Sequence, residues 1–164
     1  MSTRVRKLTE LGVLTAVALI IFVIELQIPN PFPIPGIKPG LANIITVYAV
    51  YHYRAVEVAA LVTVRLLLGA VFSGNPSALL YSAAGAISCL CGMLLLRGVL
   101  PEKQIWLCSV IGAMLHNLGQ ITAAVIIMRS FGVVAYLPLL LVTGSLAGAF
   151  TGICTQLLLG RIKQ

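Results

Sequence analysis

The stretch Ala55-Val56-Glu57-Val58-Ala59-Ala60-Leu61-Val62-Thr63-Val64-Arg65-Leu66-Leu67-Leu68-Gly69-Ala70-Val71-Phe72 carries a cation near the middle of an apolar run. Read as a helix rising ~1.5 Å per residue, it places Arg65 roughly 15 Å from its start, near the midplane of a ~30 Å hydrocarbon core. A guanidinium at that depth needs a partner, an aqueous cavity or an anionic ligand. Two readings follow: a structural ion pair with Glu25 or Glu57, or a counter-charge for something bound.

The rest of the chain supports a bilayer setting. It has 164 residues, of which 60% are hydrophobic and 9% charged, whereas soluble domains are about 25% charged. A single compact membrane domain is expected. The net charge of +7 falls mainly at helix ends, where basic residues set topology, so nucleic-acid binding is not expected. Cys89 and Cys91 lie about 200° apart on a helix, and Cys108 and Cys154 stand alone. That pattern suits small buried residues better than a metal site or a disulfide framework. Arg4, Arg6 and Lys7 precede an apolar run from Leu11 to Leu26 with no small-residue cleavage site after it, only Gln27-Ile28-Pro29. A retained first helix is expected.

Six hydrophobic segments emerge, at 8–27, 40–53, 55–73, 76–97, 104–129 and 133–160, with 28–39 as an external loop. The second is short for a ~20-residue span. Pro138 is expected to kink the first turns of the sixth. With the N-terminus inside, Arg4, Arg6, Lys7, Arg54, Arg97, Lys103, Arg161 and Lys163 lie on the cytoplasmic side, and only Lys38 and Arg129 outside. This asymmetry predicts six transmembrane helices with both termini cytoplasmic.

Small residues recur at helical spacing. Gly144, Gly148 and Gly152 share one face of the sixth helix, where a neighbouring backbone can approach closely. Internal packing is the simpler reading there. Gly12 and Ala16 form a similar pair on the first helix, suited either to internal packing or to a partner helix.

Candidate chemistry gathers in three places. His116 and Gln120 are four residues apart and share a face, with Asn117 on its flank. They can bond neighbouring helices or line a polar cavity with Arg65. Before the second segment, Pro33-Ile34-Pro35-Gly36-Ile37-Lys38-Pro39-Gly40 leads into Leu41-Ala42-Asn43. Proline stiffens this loop, and Gly40 leaves the first helical N–H groups open to an anion. Lys38 adds charge and Asn43 a donor, so the loop reads either as a stiff turn or as a cover over an electropositive pocket. Catalysis is poorly supported. The four acidic residues are Glu10, Glu25, Glu57 and Glu102, which leaves no paired aspartates for magnesium, no Ser-His-Asp set and no phosphate-binding lysine loop.

Pro35-Gly36-Ile37-Lys38-Pro39-Gly40-Leu41-Ala42-Asn43-Ile44, then Arg65-Leu66-Leu67-Leu68-Gly69, then His116-Asn117-Leu118-Gly119-Gln120 resembles one membrane family over nearly the whole chain. It is the Gx transporter family, also described as heptaprenyl diphosphate synthase component I. Its members usually carry an aliphatic residue where Pro39 stands. That family in turn resembles the substrate-binding S components of energy-coupling factor (ECF) importers, compact six-helix proteins. The resemblance implies a T subunit and an ATPase pair as partners, with Gly12 and Ala16 matching the spacing of a coupling face.

The combined expectation is an all-α integral membrane protein of the bacterial plasma membrane. It would be the non-enzymatic substrate-binding subunit of an importer for a small anionic or polar micronutrient or metabolic precursor. Arg65 would supply the counter-charge, His116, Asn117 and Gln120 hydrogen bonds, and Lys38, Gly40 and Asn43 the external entrance. No cofactor or metal is expected. The alternatives are a non-catalytic membrane subunit partnering a prenyl synthase catalytic chain in prenyl diphosphate or menaquinone synthesis, and a membrane electron-transfer role.

Overall fold

The computed structural model describes residues 3–27, 40–74 and 76–162. Its helices are α1 (Thr3–Gln27), α2 (Asn43–His52), α3 (Ala55–Ser73), α4 (Pro76–Arg97), α5 (Ile105–Met128) and α6 (Leu137–Ile162). Short 3-10 turns, Glu102–Gln104 and Phe131–Tyr136, precede α5 and α6. Among the described residues there is no strand.

Five helical stretches are long and apolar enough to cross a membrane: Arg4–Glu25, Ala55–Ser73, Leu79–Arg97, Ile105–Met128 and Phe131–Arg161. Their outer surfaces are apolar; Val56, Val71, Leu95 and Ile126 are each at least 70% exposed. Polar side chains turn inward instead, with Thr46, Ser109, Thr151 and Thr155 buried. This distribution suits hydrocarbon outside and hydrogen bonding between helices inside.

The second expected span is shorter than its sequence run. Gly40 has a left-handed φ of 76° and Leu41-Ala42 form a turn, so regular helix starts only at Asn43. At the other end Tyr53 and Arg54 are extended, which stops α2 and starts α3 in a tight corner. The 10 residues of α2 rise about 15 Å, half of a ~30 Å core.

Nevertheless α2 reverses the chain. Lys7 Nζ lies 2.8 Å from Glu57 Oε1, joining the beginnings of α1 and α3. Further along, a Cβ at Gly69 would lie 3.1 Å from Phe22 Cε1, so α1 and α3 run parallel in close contact. The intervening helix therefore runs back between them. Both its ends are tied by charged side chains. Glu25 Oε1 accepts a hydrogen bond from the Leu41 N–H at 2.6 Å. Arg97 donates to the carbonyls of Val50 at 2.6 Å and Tyr53 at 2.9 Å. A carboxylate at the start and a guanidinium at the end complement the helix dipole.

Helices α4, α5 and α6 are stitched together through glycine. A Cβ on Gly119 would lie 2.7 Å from the Ala84 carbonyl oxygen of α4, and one on Gly148 2.9 Å from the Ser109 carbonyl oxygen of α5. The 144–148–152 ladder is thus internal packing on α5. Between Ser109 and Thr151 the hydroxyls are 3.1 Å apart. Pro138, expected within the first turns of the sixth segment, is the second residue of α6, where its missing N–H costs no intrahelical bond.

Candidate functional site

The local sequence of α3 determines where Arg65 points. Glu57 Oε2 accepts the Arg54 N–H at 2.9 Å, capping the helix start, and Gly74 ends it with a left-handed φ of 62°. Between these caps the buried residues are Val58, Leu61, Val62, Arg65 and Gly69. Spacings of three and four put them on one face, so Arg65 lies on the interior side of α3 and is only 9% exposed.

Its guanidinium is satisfied by the start of α2. Nη1 donates to the Ala42 carbonyl at 3.1 Å and to Thr46 Oγ1 at 3.1 Å. Nη1 and Nη2 both lie 3.4 Å from Asn43 Oδ1. All of these acceptors are neutral. Among the described residues the ion pairs are Arg6–Glu10 and Lys7–Glu57, so Arg65 has no direct carboxylate partner there. Glu57 is engaged by Lys7 at the far end of the helix. Glu25 is 3% exposed and spends one oxygen on the Leu41 N–H, two residues from the Asn43 contact. It reaches Arg65 only through space. Glu25 and Arg65 thus both bond the chain at the entry to α2, Glu25 at Leu41 and Arg65 at Ala42, Asn43 and Thr46.

His116 and Gln120 face α4. A Cβ on Gly85 would lie 2.9 Å from His116 Cε1 and 2.8 Å from Gln120 Cγ, so the bare backbone at Gly85 is what admits both side chains. The Arg65 guanidinium is within electrostatic reach of the His116 ring. Asn117 is turned the other way: its Nδ2 donates to the Leu140 carbonyl of α6 at 2.6 Å. Thus Arg65 and Asn43 are in direct contact, His116 and Gln120 lie together at the α4–α5 seam, and Asn117 ties α5 to α6.

Gly40 sits at the turn before α2, as its sequence position suggested. The N–H that follows it does meet an anion, but that anion is Glu25. Lys38 and the rest of 28–39 lie outside the described residues. On α1, Gly12 and Ala16 are exposed, and nothing lies within 4 Å of a Cβ built on Gly12. That pair faces away from the bundle, so it is not internal packing.

Thr46 and the Ala42 carbonyl complete the surroundings of Arg65 without having been singled out in the sequence, whereas Glu25 was one of the two carboxylates weighed as its partner. Thr46 was accessible to the same logic as Asn43, since residues three apart share a helical face. A backbone carbonyl leaves no such signal.

The family model described as heptaprenyl diphosphate synthase component I matches residues 14–158. This chain belongs to that family. No curated protein and no solved structure matches it.

Proposed function

Starting from that membership, we propose that the protein is the substrate-binding membrane subunit of an importer for a small anionic or polar compound. The observation that carries this reading is Arg65, a buried cation whose hydrogen bonds all go to neutral acceptors. Buried charges in apolar surroundings are expected to be paired, and a ligand carboxylate or phosphate would pair this one. Asn43 is already at the guanidinium, and His116 and Gln120 offer hydrogen bonds from the α4–α5 seam. Lys38 would add charge at the entrance. The chain crosses the bacterial plasma membrane six times in this reading, counting α2, with both termini cytoplasmic. Gly12 and Ala16 on the outer face of α1 would meet a T subunit, and a paired ATPase would supply energy.

A second reading takes the family description at its word. The protein would then be a non-catalytic membrane component beside a prenyl synthase chain, with Arg65 facing a diphosphate. Gentle purification followed by native mass spectrometry separates the two. Co-purifying T and ATPase subunits with a retained small molecule support the importer; a prenyl synthase chain in their place supports the second reading.

A further inference from the structure

The ion pair between Lys7 and Glu57 holds the starts of α1 and α3 side by side. Arg4 stands three residues before Lys7, and Arg54 three residues before Glu57. Both arginines are exposed. The carboxylates nearby are already engaged, Glu57 by Lys7 at 2.8 Å and Glu10 by Arg6 at 3.1 Å. Arg4, Arg6, Lys7 and Arg54 thus stand against two carboxylates. Arg4 and Arg54 carry the excess, with no ion pair of their own among the described residues. Apolar surface begins at the same end. The apolar spans of these helices start at Arg4 and Ala55, and Leu8 and Val56 are 73% and 80% exposed. Leu8 lies four residues after Arg4, on the same face of α1. Each arginine therefore stands where hydrocarbon gives way to headgroup.

We propose that the paired starts of α1 and α3 form a docking surface for an anionic phospholipid, whose phosphate meets Arg4 and Arg54 while an acyl chain covers Leu8 and Val56. A soluble anion would match only the charge of this surface. An anionic lipid matches both the charge and the apolar wall beside it. The surface lies on the outside of the bundle, so a lipid reaches it directly from the bilayer. It is independent of what Arg65 binds, since Arg65 lies about three turns further along α3, on the interior side.

Dioleoyl phosphatidylglycerol is the probe, dioleoyl phosphatidylcholine the control without net charge and glycerol 3-phosphate the soluble one. The full chain in a neutral detergent is titrated with each, and bound molecules are counted by native mass spectrometry. Phosphatidylglycerol should bind saturably and more tightly than phosphatidylcholine, and glycerol 3-phosphate at the same concentration should not displace it. Arg4→Gln and Arg54→Gln should each weaken phosphatidylglycerol binding about 5-fold, and the double variant about 25-fold. If the double variant does not fold, the single variants carry the test. Lys103→Gln combined with Arg161→Gln removes two exposed cations on other elements and should leave binding unchanged. Three results would overturn the proposal. Phosphatidylglycerol held no more tightly than phosphatidylcholine leaves the arginines to topology or to an acidic protein partner. Displacement by glycerol 3-phosphate makes this a site for free phosphate. Equal losses in the two double variants reduce it to diffuse attraction.

Discussion

Gly85, Arg97 and Asn117 show how single residues of this chain divide between packing and chemistry. Gly85 keeps α4 close to His116 and Gln120, so Gly85→Val should push the helices apart. A small-to-large change in a packed interior costs about 1–3 kcal/mol, and a lower thermal midpoint in detergent would register it. Arg97 makes charge-assisted bonds to the last carbonyls of α2. Arg97→Gln should therefore destabilise the protein by about 1.5–3 kcal/mol, while Lys7→Gln, at an ion pair with side chains 42% and 25% exposed, should change the same midpoint little. Equal effects of the two substitutions would contradict the clamp at the end of α2. The sequence marked Arg65 because a cation in an apolar run is conspicuous. Asn117 was equally conspicuous, yet its amide ties two helices, a distinction that depends on which neighbour lies opposite. Arg97 counted only as a topology charge, since its acceptors are backbone carbonyls 44 and 47 residues away.

At the level of elements, two small-residue patterns with the same spacing have different environments. Gly148 abuts the backbone of α5, whereas Gly12 faces nothing within 4 Å. Gly148→Leu should thus lower the yield of folded protein, and Gly12→Leu should leave the melt unchanged while weakening co-purification with a partner helix. An intact assembly with Gly12→Leu would make that face simple lipid contact. Spacing alone could not separate these cases, because period four reports a shared face and not what covers it. Five long helices were legible as uninterrupted apolar runs. The short α2 was legible as the segment 40–53, but its ends at Asn43 and His52 were not, because they are set by the left-handed Gly40 and by the extended corner at Tyr53-Arg54, and both are geometric.

For the whole molecule, the parallel pairing of α1 with α3 and the return through α2 suit an odd–even alternation of helices across a bilayer. A cysteine at Arg4, in a chain otherwise cleared of reactive cysteines, should resist an impermeant reagent in intact cells and react after permeabilisation. Labelling in intact cells would place that end outside. The family and the membrane character were readable from composition and three short motifs, but the arrangement around Arg65 needed the fold, which brings α1, α2 and α3 to one point. The account depends most on that point. Wild-type protein purified gently should retain a small anion detectable by native mass spectrometry. Arg65→Gln should bind it about 2–5 kcal/mol more weakly, and Arg65→Lys should recover only part, having lost the planar fork. Retention unchanged in Arg65→Gln, or loss of the fold in that variant without ligand, would instead make Arg65 a structural tie to α2.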